Sequence, residues 1–304
     1  VKPSGAAIRQ RGCRYWFKLL TVGLIGGVLL AYVVYILIAV DAFMQPAHAS
    51  ICCKTPADDG LAYEEVTLTT NDSLALRGWY IPSHNQAAVI VLHGYGGNRL
   101  EMLTRAVTLA QHGYGVLLYD ERASGESDGE QRTFGWLDAG DVPMALSFLR
   151  QRSDVDPNRM GILGFSIGGQ IALRAAGQSE QIRAIVAEEP GFARISDVPD
   201  MPTLEDKYYA VSYWLGENLL SLRTGIPIPE GVVAAIQRIA PRPILFIATG
   251  RNYAQQLVQY FFRQAGEPKF YWEVPEVGHG GSPIARPQEY EQTVVGFFDR
   301  ILLK

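Results

Sequence analysis

Met160-Gly161-Ile162-Leu163-Gly164-Phe165-Ser166-Ile167-Gly168-Gly169 sets a short apolar run, then a serine with glycine two residues to either side, then small residues up to Ala176. The apolar run reads as a strand buried on both faces, and the segment after the serine reads as a small-residue helix. A serine at such a junction sits on a sharp turn with a strained backbone, and the glycines remove side chains that would collide there. The helix begins beneath the serine, so its free N–H groups favour negative charge at that spot. Ser166 is therefore the candidate nucleophile.

The flanking text supports the strand. YEEVTLTT and LALRGWYI alternate around Asn71-Asp72, and AAVIVLH and GVLLYD are further buried strands. AIVAEE, PILFIAT and FYWEVPE follow, with helical stretches near 99–111, 138–151, 168–177 and 253–265 and from about 287. Strands separated by helices predict an α/β class fold with a mostly parallel sheet covered on both faces. In such sheets reacting groups gather beyond the carboxyl ends of the strands.

Three motifs in order carry a resemblance. They are His93-Gly94-Tyr95-Gly96-Gly97-Asn98, Tyr119-Asp120-Glu121-Arg122-Ala123-Ser124-Gly125-Glu126-Ser127, and Gly161 to Gly169, completed by Val277-Gly278-His279-Gly280. Over about 60–304 the chain resembles the α/β-hydrolase superfamily, in its dienelactone-hydrolase-like and prolyl-oligopeptidase-like branch. The resemblance implies a serine hydrolase with no metal or organic cofactor, acting on a small-molecule acyl substrate. It also implies an oxyanion hole from the backbone N–H groups of Tyr95 and Ile167. Of the five histidines, His279 alone follows the last strand in a glycine-rich loop downstream of the serine, the chain order of this fold. It is the candidate general base, and His93 is expected to brace its own loop.

The third member is absent from its usual place, because Ala248 to Gln256 contains no carboxylate. We assign it to Glu188, at the end of the preceding strand. Glu189 should point the opposite way if the strand continues through it. Asn252, whose amide oxygen can orient an imidazole, is the alternative. With no effective acid, the chain would instead be a degraded hydrolase-fold protein binding a ligand or partner beside the membrane. The reaction expected is cleavage of a carboxylic ester or related acyl bond through an acyl-enzyme intermediate, with peptidase and acyltransferase chemistry as the alternatives. The stretch 190–240 is too long for a simple crossover. With Tyr208, Tyr209, Tyr213 and Trp214 it reads as a helical cap over an apolar acyl pocket.

At the other end, Leu19 to Val40 carries no charge, and about 22 residues at 1.5 Å each give roughly 33 Å, enough to cross a bilayer. Five bases and no acid occur in the first 40 residues. The division expected is a basic cytoplasmic terminus (1–18), a transmembrane helix (19–40), a linker (41–60) and an extracytoplasmic body (61–304). Ala47-His48-Ala49 also matches a signal-peptidase site, which leaves cleavage as the alternative. Beyond residue 40 there are 22 bases against 31 acids, which excludes a nucleic-acid binder. Cys52 and Cys53 are expected to be thiols, since bonding neighbours is strained.

Overall fold

The computed structural model describes residues 5–199, 203–250 and 253–304. All eight expected strands form: β1 (Glu64–Thr69), β2 (Ala75–Ile81), β3 (Ala88–Leu92), β4 (Gly115–Tyr119), β5 (Met160–Phe165), β6 (Ala184–Glu188), β7 (Ile244–Thr249) and β8 (Lys269–Val274). They make one sheet in the order β8-β7-β6-β5-β3-β4-β2-β1. β2 is antiparallel to both β1 and β4, and every other pairing is parallel.

The central strands β3 to β7 are buried along their whole length. Their continuous apolar text follows from helices covering both faces. One face packs residues such as Ile90, Ile162 and Phe246 under α3 (Val142–Arg150), α4 (Ile167–Gln178) and α7 (Tyr253–Gln264). The other packs Val91, Leu163 and Val186 under α2 (Leu103–Gln111) and the C-terminal helix Pro287–Leu302.

The first helix, α1, runs from Gly5 to Met44, well past the expected end at residue 40. Its stretch Tyr15–Met44 is long and apolar enough to cross a membrane. From Tyr15 to Leu30 the side chains are exposed, whereas Ile36, Val40 and Met44, spaced four apart, are buried with Trp136 and Leu220. The expected linker therefore begins inside a helix. It continues as a parallel bridge in which Ala47 and His48 pair with Ser124 and Gly125. Cys52 and Cys53 are joined by a disulfide, contrary to the expectation of free thiols.

The insertion holds α5 (Leu204–Thr224) and the short α6 (Val232–Gln237). Thr203 caps α5 reciprocally with Asp206, and Gly225 ends it at φ +72°. α5 lies against the last turns of α1. The Tyr32 and Ser212 hydroxyls are 2.6 Å apart, and Arg223 pairs with Asp41 at 2.7 Å. Both numbers rise together, so the two helices run parallel.

Candidate active site

Ser166 terminates β5 and opens α4 with φ 55° and ψ −117°. Few non-glycine residues adopt that conformation, and it is held by packing so close that only glycine fits around it. A Cβ on Gly164 would lie 2.1 Å from the Gly168 carbonyl oxygen, and one on Gly168 would lie 2.5 Å from that of His93. The Ser166 carbonyl is gripped by N–H groups of Gly169, Gln170 and Gly191. Ile167, first in α4, has an N–H that no intrahelical carbonyl can satisfy.

The loop after β3 is braced from below. His93 Nε2 accepts the Glu121 N–H at 2.9 Å, which leaves the proton on Nδ1 to donate to the Gly94 carbonyl at 2.8 Å. Burial holds this imidazole below its usual pKa, hence neutral. Glu101 accepts the Gly94 N–H at 2.7 Å. Asp120, fully buried, receives both the Arg99 guanidinium and its N–H and supports the floor. Tyr95 turns its ring outward onto Phe43 of α1, stacked at 4.2 Å and 8°, and donates its hydroxyl to the Phe43 carbonyl.

His279 stands in the loop after β8, its ring 4.7 Å from that of Phe165, the neighbour of Ser166. Its Nδ1 meets the carboxylate of Glu189, not Glu188, at 2.5 Å. Glu189 also accepts the Gly280 N–H at 2.8 Å. The assignment of Glu188 fails because β6 ends there. Glu189 takes φ +47°, so the alternation that would turn it away no longer applies. Glu188 is fully buried elsewhere: Arg105 grips it with two hydrogen bonds of 2.7 and 2.8 Å, and Ser282 donates at 2.6 Å. Arg105 in turn donates to the Gly280 carbonyl at 3.1 Å. The Gly280 residue is thus held through its N–H by Glu189 and through its carbonyl by Arg105. The alternative, Asn252, lies outside the described residues.

The hydrogen bond it donates to Glu189 raises the His279 pKa above its ordinary value, against the effect of burial. Burial pushes Glu189 upward, but bonds from His279, Thr249 and the Gly280 N–H outweigh it and keep the carboxylate ionised. With Nδ1 occupied, Nε2 is the ring atom left for proton transfer. Among the described residues no group of His, Cys, Asp and Glu could hold a metal ion.

The sheet order and the serine turn are those of the α/β-hydrolase superfamily, and the chain belongs to it. Residues 83–224 match the family described as serine aminopeptidase, S33. The chain is 30% identical over 208 residues to the uncharacterized protein YfhR of Escherichia coli O157:H7, covering 65% of this chain and 70% of that protein. It is 33% identical over 226 residues to the uncharacterized protein Rv2307c of Mycobacterium tuberculosis, covering 72% and 73%. Among solved structures, the Pyrococcus furiosus esterase Pf2001 superposes with a TM-score of 0.68 at 26% identity, over 85% of this chain and 98% of that one.

Proposed function

We propose that this hydrolase cleaves a carboxylic ester or related acyl bond through an acyl-enzyme on Ser166, while anchored by α1. The observation that carries the reading is the 2.5 Å contact from Glu189 to His279 Nδ1. It supplies the carboxylate whose apparent absence had favoured a degraded binding protein. In this mechanism His279 Nε2 takes the Ser166 proton as Oγ attacks the carbonyl carbon. Glu189 holds the tautomer and stabilises the imidazolium. The N–H groups of Ile167 and Tyr95 receive the developing oxyanion. Collapse breaks the acyl–oxygen bond, and the leaving alcohol departs with the proton from His279. Water, deprotonated by the same nitrogen, then releases the acid and restores Ser166.

Anchoring is supported by the exposed apolar face of α1 and by the bases before it. The Ala47-His48-Ala49 sequence is tied into the body, its N–H groups at Ala47 and Ala49 bonded to Ala123 and Gly125. That favours an uncleaved helix over a signal peptide.

A fluorophosphonate probe tests the chemistry. Wild type should label and turn over p-nitrophenyl esters, and Ser166→Ala should do neither. A Ser166→Ala protein with wild-type turnover would remove the nucleophile. Preference for aminoacyl p-nitroanilides over esters would replace esterase with peptidase, the activity in the matched family's description.

A further inference from the structure

Between α1 and α5 lies a cavity of about 340 Å³. Its walls are overwhelmingly apolar or aromatic and come from both helices, among them Ile36 and Val40 of α1 and Leu220 of α5. Of the aromatics expected in an acyl pocket, Tyr208, Tyr209 and Tyr213 line it, while Trp214 points to the exterior. The inner end is walled by three rings in contact: Phe134 sits 5.1 Å from Phe43 and 5.5 Å from Phe192. Each adjoins the reacting centre. Phe43 stacks on Tyr95, Gln170 of α4 donates to the Phe134 carbonyl at 2.7 Å, and Phe192 follows Gly191, whose N–H is bonded to Ser166.

The outer end is marked by Tyr35, Tyr208 and Tyr209. Along α1, Tyr15 and Tyr35 are 20 residues apart, about 30 Å at 1.5 Å per residue, the thickness of a hydrocarbon core. Tyr15 and Trp16 at one end and Tyr32 and Tyr35 at the other are then the two aromatic belts. This register lifts the last two turns of α1 clear of the bilayer and puts the first turns of α5 at headgroup level. The exposed Tyr208, Tyr209, Tyr213 and Trp214 suit that layer, being apolar with one polar tip.

From these placements we infer that the cavity receives the acyl chain of a single-chain ester resident in the membrane, entering sideways between α1 and α5 so that its carbonyl reaches Ser166. The inference rests on the hydrolase and anchor readings above. From Tyr35 to Phe43 the channel extends eight residues of helix, roughly 12 Å. A channel of about 340 Å³ and roughly 12 Å suits one medium chain and not the two of a diacyl lipid. Two charged residues stand on its wall, Arg194 and Glu217, and Glu217 accepts the Ile195 N–H at 2.9 Å.

Gly216 faces this space with only Val40 Cγ2 near, 3.8 Å from where a Cβ would stand. A larger residue there fills the cavity, and replacing a mid-helix glycine favours the helix. The experiment uses the full chain in dioleoylphosphatidylcholine vesicles, with p-nitrophenyl esters from acetate to palmitate and monodecanoylglycerol. Wild-type kcat/KM should peak at medium length, and decanoate should be released from the glyceride. Gly216→Leu should move the peak to shorter chains and cut the decanoate-to-acetate ratio tenfold or more. A profile unaffected by Gly216→Leu, with acetate still cleaved, overturns the cavity assignment and spares the hydrolase. Release of oleate from the vesicle lipid overturns the single-chain claim. Failure of every ester together with failure of fluorophosphonate labelling removes the hydrolase reading and this inference with it. Should Gly216→Leu misfold, the Ser166→Ala protein is irradiated with a diazirine-bearing decanoic acid in the same vesicles. Labels on α1 between 35 and 43 and on α5 support the site, and labels confined elsewhere overturn it.

Discussion

Glu188 and Glu189 are adjacent in sequence and opposite in purpose, and their substitutions should separate cleanly. Glu189→Gln keeps an acceptor but removes the charge behind His279. Turnover should fall by about 10⁴, the cost of disabling a triad carboxylate, with the melting temperature little changed. Glu188→Ala leaves the Arg105 guanidinium buried and unpaired, so it should destabilise by about 3–5 kcal/mol, read as a lower urea midpoint. A Glu188 variant of native stability would refute that account of the pair. The pH profile follows from the same geometry. As the proposed base, His279 must be neutral to accept a proton, and its pKa is raised. The acid limb of kcat/KM should therefore fall above pH about 6.5, the ordinary histidine value, and activity is lost as pH drops through it. Glu189→Gln should move that limb to lower pH. The sign reverses for stability: while Glu189 is ionised, the His279–Glu189 pair contributes fully below the unfolded histidine pKa and fades as pH rises through the folded one, and at the acid end it is lost as pH falls through the lowered Glu189 pKa.

At the scale of elements, strands were legible because burial on both faces writes a continuous apolar run, and all eight expected strands are present. The turn at Ser166 was legible because backbone contacts under 3 Å at Gly164 and Gly168 admit no side chain. Glycine must therefore be written there. Gly168→Ala should cost about 3 kcal/mol or more, the upper range of overpacking. Gly140→Ala, which meets nothing within 4 Å, should leave the melting curve unmoved. Equal stability of the two variants would show that the turn yields more easily than its contacts indicate. The residue that binds His279 was hidden for a local reason. Strand alternation predicts side-chain direction only while the strand lasts, and no motif announces that Glu189 adopts φ +47°. The pairing of α1 with α5 was hidden for a different one. The Tyr32 to Ser212 contact spans 180 positions, and an apolar helix reads the same whether its neighbour is lipid or protein.

For the whole molecule, the bases before the span predict a cytoplasmic N-terminus and a body on the far side. Protease added to spheroplasts should digest the body and spare the N-terminal peptide; a protected body would reverse the orientation. Only Gln45 and Pro46 separate the end of α1 from the bridge to Ser124 and Gly125, so the helix is a rigid strut and not a leash. That changes what shortening the chain would do. Removing residues up to 49 to obtain a soluble enzyme would delete more than an address, because Phe43 and its neighbours are masonry of the chamber itself. Such a chain should still cleave small esters but should lose its ruler for acyl length and expose the Tyr95 ring and the inner face of α5. Under the proposed function, assays on a trimmed protein would then report a broader acyl range than that of the intact molecule.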